Sequence, residues 1–332
     1  MESELRRIAF PLILGLAACA KSRAPEGAHP LAPPSAPSEE TAPAPESSTE
    51  PRGDGGKSDA TLDAAVTARP TPDGMLLVPA GTFTMGADRG GQEDEHPAHE
   101  VTVRGFWLDR TEVTNAAYAL CVAAKACGPN DAHLASREHE QDDRDFAHPL
   151  QPVTGVTWEN AHDYCAWRGT RLPSEAEFEK AARDTDGRRF PWGNETPTAE
   201  RTAFGRVLGK GAPDEVGAHP LGRGPYGHDD LAGNVWEWTE DLYDPFAYRR
   251  PSAGEGRPGT CDEILAAERQ LLDSGMQGYT GSNPIPTGCE RVLRGGAFNY
   301  DAPGLRSTNR VHHPGGFHLV MAGFRCAKEA TE

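Results

Sequence analysis

Glycine and proline interrupt this chain so often that no long helix or strand can run through it. The 332 residues include 37 glycines and 29 prolines. Glycine weakens the interior of helices and strands, and proline removes a backbone hydrogen-bond donor. Neither the strand–helix alternation of a parallel sheet nor the regular period-two runs of a sandwich dominates the sequence. We therefore predict an irregular α+β fold with short strands and long ordered loops.

The first nineteen residues have the composition of a bacterial lipoprotein signal. Two arginines precede an apolar run from Ile8 to Leu16, and small residues lead up to Cys19. A short membrane helix is the alternative, but the run is well short of the ~20 residues needed to cross a bilayer. We expect lipid attachment at Cys19 and hence a membrane anchor. Because the residue after Cys19 is Ala20 rather than aspartate, we expect the lipoprotein to be sorted to the outer membrane. Its domain would then face either the periplasm or the cell surface.

Residues 20–70 are predicted to form a disordered tether. Residues 21–70 contain nine prolines and no Phe, Trp or Tyr. Such a segment buries too little apolar surface to offset the entropy lost on ordering. Proline-rich chains extend by ~3 Å per residue, so this tether would hold a domain clear of a membrane surface.

Residues 71–332 have a globular composition and a length that suits one large domain. The whole chain carries a formal charge of −17. Residues 21–70 hold eight acids and five bases and residues 1–20 balance, so the domain carries −14. This charge argues against nucleic acid as a partner, because its affinity comes largely from Lys and Arg on phosphates. Glycine-rich phosphate loops in a strand–helix context are absent as well.

Three helices can be placed from their capping residues. Thr157 precedes a segment, residues 158–167, whose apolar residues fall near helical spacing. Ser174 followed by Glu177 is a capping-box pattern that predicts a helix through Arg183. We expect a third helix after Thr114.

Six cysteines lie beyond Cys19, and an even number in an exported domain predicts three disulfides. They are Cys121, Cys127, Cys165, Cys261, Cys289 and Cys326. Six cysteines allow 15 connectivities, so the count leaves the pairing open.

Six motifs of the domain occur in an order that resembles the formylglycine-generating enzyme family, also called sulfatase-modifying factors. The resemblance covers residues 74–329, and the motifs are GTFTMG (81–86), EVTNAAY (112–118), RLPSEAEFEKAAR (171–183), PWGN (191–194), LAGNVWEW (231–238) and RVLRGGAF (291–298). It implies a single compact domain related to C-type lectin-like folds, with a surface cleft and often with bound calcium. It also implies that Cys165 pairs with Cys326, which leaves Cys121–Cys127 and Cys261–Cys289 as local bridges.

The cysteines that bind copper in active members of this family are missing. Those enzymes hold cuprous copper with two thiolates after the GG segment, and soft thiolates select Cu(I). Counting from Gly295-Gly296, the corresponding positions are Tyr300 and Leu305, neither of which supplies a thiolate. Counting likewise puts Ala297 and Met321 where active members have a pocket serine and asparagine. We therefore predict no catalytic residue and regard formylglycine oxidation by this chain as doubtful.

A calcium site is the metal site that the resemblance implies. Asp230, Gly233, Val235 and Glu237 occupy its positions, and carboxylate and carbonyl oxygens are the ligands that calcium prefers. The alternative is that Asp230 caps a turn and Glu237 pairs with an arginine.

Other side chains leave two interpretations open. Arg306 and Arg310 match a family pattern and either bind a carboxylate in the cleft or join loops through buried ion pairs. Trp236 either stacks on a ligand or belongs to the core. His96 and His99 lie in an acidic stretch that invites a transition metal, but Pro97 favours a structural role. His312-His313 lies near the predicted cleft.

Two functions remain. The first is a non-catalytic binding or scaffold lipoprotein that uses the family cleft for a peptide, a protein or an envelope polymer. The second is a formylglycine-generating oxidoreductase acting on a cysteine of exported sulfatase-type substrates, with copper held in a rearranged site. The missing thiols favour the first.

Overall fold

The computed structural model describes residues 74–249, 259–273 and 288–330. The predicted signal, Cys19 and the tether lie outside these residues. Within them, no helix is long and apolar enough to cross a membrane.

Short elements separated by long loops make up the described part of the chain. The strands are β1 (Met75–Val78), β2 (Gly81–Met85), β3 (His99–Val103), β4 (Phe106–Asp109), β5 (Trp236–Leu242), β6 (Glu290–Arg294), β7 (Val311–Pro314), β8 (Ala322–Gly323) and β9 (Ala327–Glu329). The helices are α1 (Asn115–Ala123), α2 (Leu134–His139), α3 (Trp158–Trp167), α4 (Glu175–Arg183) and α5 (Cys261–Asp273). This loop-rich mixture of helix and sheet confirms the predicted fold class.

The three helices predicted from their caps form where their sequences indicate. The hydroxyl of Thr157 accepts a hydrogen bond from Asn160 N at 3.1 Å, which begins α3. At the start of α4, Ser174 and Glu177 bond reciprocally in the predicted capping box. Thr114 caps α1 in the same way. Such caps satisfy amide donors that the first helical turn leaves free. Helices α2 and α5 were not predicted.

The strands form three small sheets. β4 lies between β1 and β9 and is antiparallel to both, so the two ends of the domain meet on one strand. β2 and β3 form a separate antiparallel pair. The third sheet has the order β7-β6-β5-β8, in which β8 is parallel to β5.

Aromatic and sulfur-containing side chains fill the main core. Trp238, at 0% exposure, packs with Tyr118, Tyr164 and Phe324. A second buried cluster lies between α4 and the β2–β3 pair and is centred on Phe178. These clusters fix the loops that carry the candidate site.

Candidate functional site

The loop after β6 carries the two positions where active family members would bind copper. Gly296 has a φ of 83°, and a Cβ there would lie 2.8 Å from the carbonyl oxygen of Gly304. Only glycine therefore lets the loop fold back onto the turn that contains Leu305. Leu305 is fully buried against Phe190 and Ala232. Its position belongs to an apolar cluster and offers no metal ligand.

Tyr300 packs on the tryptophan of the same site. Its ring lies edge-on to Trp236 with 5.1 Å between centroids, and burial raises the pKa of its hydroxyl. Trp236 is 2% exposed, so it belongs to the core, which is the second of the two interpretations left open for this residue. Ala297 is fully buried and Met321 packs against two hydrophobic clusters. These four side chains supply packing and no thiolate or carboxylate.

Every cysteine among the described residues is in a disulfide. The bonds join Cys121 to Cys127, Cys165 to Cys326, and Cys261 to Cys289, whose sequence separations are 6, 161 and 28. The prediction of disulfides is confirmed. Within the described ranges no free thiol is therefore left to bind copper.

Three carboxylates and one arginine form a buried cluster around the predicted calcium positions. Glu237 accepts hydrogen bonds from Nε and Nη2 of Arg325, each at 2.7 Å. Glu237 therefore forms an ion pair with an arginine, as the alternative to a calcium site predicted. Asp230, at a φ of 58°, accepts from Gly217 N at 2.6 Å. Glu112, in the EVTNAAY motif, also reaches the cluster, and sequence analysis did not single it out. Its Oε1 accepts from Asn234 Nδ2 at 3.0 Å, and its Oε2 is buried without a donor, in a carboxyl group that lies within hydrogen-bond reach of Asp230.

The cluster holds more negative than positive charge. Burial, followed by the charges of Asp230 and Glu237, raises the pKa of Glu112 well above its usual range. Burial likewise raises the pKa of Asp230. Three carboxyl groups share one guanidinium, so an additional cation would lower the energy of their ionised forms. Within the described ranges, however, no three His, Cys, Asp or Glu side chains form a group that could hold a metal by themselves. Calcium would need backbone carbonyls as well.

The two arginines predicted near the cleft lie in different surroundings. Arg310 is 1% exposed and donates Nε and Nη2 to the two oxygens of Glu175, at 2.6 and 2.9 Å. It therefore joins the last segment to α4 through a buried ion pair. Arg306 pairs with Glu95 and is part of the lining of a surface cavity. Sequence analysis missed Glu175 and Glu95 as partners, because only the tertiary fold brings them to these arginines.

The histidines have structural contacts. His99 packs on the ring of Tyr248 at 4.6 Å between centroids. His312 stacks on Tyr243 at 3.9 Å, and its Nδ1 lies 2.6 Å from Glu290 Oε2. Neither histidine belongs to a metal-binding group within the described residues.

An apolar cavity of roughly 640 Å³ opens beside α1. It is lined by Tyr118, Leu134, Phe146 and Val320, among others. Its volume lies in the range of small-molecule sites. Val320 precedes Met321 in the chain, but neither Tyr300 nor Leu305 lines this cavity.

Comparison with known proteins gives the following matches. A family model described as the sulfatase-modifying factor enzyme 1-like domain matches residues 62–330. The formylglycine-generating enzyme of Streptomyces coelicolor is 30% identical over 328 residues, which cover 82% of this chain and 94% of that protein. The inactive C-alpha-formylglycine-generating enzyme 2 of Mus musculus is 33% identical over 214 residues, 52% of this chain and 70% of that protein.

Longer relatives and a solved structure also match. Serine/threonine-protein kinase pkn1 of Chlamydia caviae is 31% identical over 265 residues, 76% of this chain, and the chain spans only 38% of that protein's length. The solved structure of PvdO from Pseudomonas aeruginosa has a TM-score of 0.58 and 25% identity, and the match covers 77% of this chain and 94% of PvdO.

Proposed function

Since the chain belongs to the sulfatase-modifying factor family, we propose that it is a non-catalytic binding or scaffold module of that family. The observation that carries the proposal is the chemistry at the two copper positions. Leu305 is sealed in an apolar cluster and Tyr300 is packed on Trp236. Cu(I) binds preferentially to soft ligands such as thiolates, and neither a leucine nor a tyrosine side chain supplies such a ligand. The mouse relative named as inactive is in keeping with a family that includes members without the activity.

We propose as ligand a peptide, a protein or an envelope polymer bound in a surface cleft, and no nucleic acid. The charge of −14 on residues 71–332 would repel a polyanionic backbone.

The alternative is a formylglycine-generating oxidoreductase, and the match over 94% of the Streptomyces coelicolor enzyme favours it. When bound, Cu(I) would activate oxygen for conversion of a substrate cysteine to formylglycine. None of the described side chains at the family positions fits this ion, so we derive no step through it.

A peptide assay decides between the two functions. The full chain is incubated with Cu(I), oxygen and a cysteine-containing sulfatase-motif peptide, and the peptide mass is followed. We expect no formylglycine and no stoichiometric copper, and the mature chain acylated at Cys19 should have no titratable thiol after unfolding without reductant. Formation of formylglycine by the unaltered chain would establish the oxidase instead. The matched variant Y300C/L305C tests the alignment, because two restored thiols should bind Cu(I) if these positions face one another.

We also propose that the protein is an outer-membrane lipoprotein acylated at Cys19, with residues 20–70 as its tether. Labelling with radioactive palmitate followed by membrane fractionation tests this. We expect label in the unaltered chain and none in Cys19→Ala. Ala20→Asp should keep its label and move to the inner membrane. Equal labelling with and without Cys19 would contradict the anchor.

Calcium is the cofactor that we propose for the buried carboxylate cluster. The unpartnered Glu112 Oε2 and the surplus of carboxylates over Arg325 fit a hard cation. Asp230 and Glu237, with the carbonyl oxygens of Gly233 and Val235, would hold it, and the ion would stabilise the folded domain by neutralising the cluster.

Equilibrium dialysis with radioactive calcium tests the site. Asp230→Ala is the informative variant, because Glu237→Ala also leaves Arg325 buried without its partner. We expect the unaltered chain and the control Asp142→Ala, a surface residue elsewhere, to bind calcium, and Asp230→Ala to lose it. Equal calcium in all three would contradict the proposal.

A further inference from the structure

A second cavity is lined by five arginines, whereas the side chains at the copper positions are apolar or aromatic. Its volume is roughly 360 Å³. Arg89 comes from the loop after β2, Arg183 from the end of α4, Arg188 and Arg189 from the loop that follows, and Arg306 from the segment before β7. The only acidic residue in the lining is Glu95.

Three of the five arginines already have acidic partners. Arg183 lies 3.1 Å from Glu179, Arg188 lies 2.7 Å from Asp186, and Arg306 pairs with Glu95. By contrast, neither Arg89 nor Arg189 has an acidic partner or a guanidinium hydrogen bond among the described residues. Both are exposed, and the Arg189 guanidinium lies 5.3 Å from the ring centroid of Phe190. The cavity therefore carries two uncompensated positive charges in a domain of −14.

The one carboxylate in the lining is neutralised by its own contacts. Glu95 Oε2 accepts a hydrogen bond from the Thr308 hydroxyl at 2.6 Å. Its Oε1 accepts from the guanidinium of Arg306 and from Gln92 N, the latter at 2.9 Å. With three donors, Glu95 contributes little repulsion to an anion in the cavity.

Two of the paired arginines also keep donors without acceptors. The Nε atoms of Arg183 and Arg306 are buried and have no hydrogen-bond partner, while the side chains are 12% and 13% exposed. Because these two Nε atoms are buried, a ligand in the cavity does not reach them, and the paired arginines act there through their positive charge. The cavity thus offers two guanidiniums without acidic partners, those of Arg89 and Arg189.

We propose that this cavity, which we call the arginine pocket, binds the phosphate or sulfate group of a small molecule. A carboxylate has two oxygens in one plane and one charge, and a single guanidinium satisfies it. A tetrahedral oxyanion has three terminal oxygens in different directions, which suits donors from three chain segments. The volume exceeds what a lone anion needs and lies in the range of small-molecule sites, so the ester of a larger molecule fits. The acidic surroundings exclude long polyanions.

Isothermal titration calorimetry of the full chain at low ionic strength tests the arginine pocket. The probes are inorganic phosphate, inorganic sulfate, glucose 6-phosphate, glucose 6-sulfate and glucuronate as the carboxylate comparator. We expect a phosphate or sulfate probe to bind at least about tenfold more tightly than glucuronate, and the affinity to fall with added salt. Esters that bind more tightly than the free ions assign the ligand to an ester. Equal binding of esters and ions assigns it to the free oxyanion.

The variant R89A/R189A removes the two uncompensated charges without breaking an ion pair. We expect at least about tenfold weaker binding, because the variant removes the two guanidiniums that would form charge-assisted hydrogen bonds to the oxyanion. The control is Arg144→Ala, which removes one exposed arginine outside the cavity together with its surface ion pair to Asp142. Circular dichroism melts of both variants should match the unaltered chain. Undiminished binding by R89A/R189A, binding of glucuronate as tightly as phosphate, or no heat with any probe would overturn the proposal.

Discussion

Breaking the bond between Cys165 and Cys326 should destabilise the domain far more than breaking the bond between Cys121 and Cys127. A disulfide stabilises mainly by restricting the unfolded chain, and the effect grows with the logarithm of the closed loop. The two loops have 161 and 6 residues. The chain-entropy relation then gives about 5 kcal/mol for the long loop and about 2 kcal/mol for the short one, a difference of about 3 kcal/mol.

The structure makes this comparison well matched. Each pair of Cys→Ala substitutions removes two sulfurs, and all four cysteines are buried, so the packing losses largely cancel. The bridge Cys261–Cys289 lies inside the long loop and shortens it by 28 residues. That shortening lowers the expected effect by only about 0.2 kcal/mol.

Guanidinium unfolding of C165A/C326A and C121A/C127A at pH 7 measures the two losses. The first variant should also show a larger m-value, because its unfolded chain is more expanded. If it is unfolded in buffer, a titration with trimethylamine oxide restores a measurable transition. Losses that agree within about 1 kcal/mol would refute the loop-closure reasoning and assign the stabilisation to local packing.

Three further substitutions probe local chemistry. Burial and then the charge of Glu175 raise the pKa of Asp241 from 3.8 to about 7, so the folded protein binds a proton more tightly between these values. Relative to Asp241→Asn, the unaltered chain should therefore gain stability as the pH falls from 8 to 5, by up to about 1.4 kcal/mol per pH unit, and parallel curves from denaturant melts would contradict this. Gly233→Ala should lower the melting temperature strongly, since a Cβ there would lie 2.1 Å from Thr202 Oγ1 at a φ of 81°. Ser174→Ala should lose about 1 kcal/mol in urea unfolding by removing the cap of α4, and an unchanged midpoint would show that the cap is dispensable.

Local signals in the sequence were enough to place α1, α3 and α4. Each begins at a hydroxyl residue whose side chain accepts a hydrogen bond from the amide three residues on, and this pattern needs no tertiary information. α2 is only six residues long and its N-cap residue makes no side-chain hydrogen bond, so nothing local marks its start. α5 carries the same local signal, since Thr260 and Glu263 bond reciprocally and residues 261–273 contain no glycine or proline, so this helix could have been predicted from its cap.

The candidate site was predictable only in part. The replaced positions Tyr300 and Leu305 could be read by counting from Gly295-Gly296, because the loop is short. Glu112 could not be assigned to the carboxylate cluster, since it lies more than 100 residues from Asp230 and Glu237. The partners of Arg306 and Arg310 are equally distant. Buried ion pairs depend on contacts between remote segments, and a single sequence carries no signal for them.

The central position of β4 has a consequence for how the chain is completed during synthesis. β4 pairs with β9, Val113 N donates to Phe324 O, and Asp109 N donates to Cys326 O. These hydrogen bonds of the segment near residue 110 therefore cannot form until the segment near residue 326 has been synthesised. A chain still on the ribosome leaves the Cys165 thiol without its partner until the last segment emerges, while Cys121 and Cys127 are already available. Residues 322–329 thus close the domain late, and a truncation before Cys326 would leave the Cys165 thiol without its partner and β4 without β9.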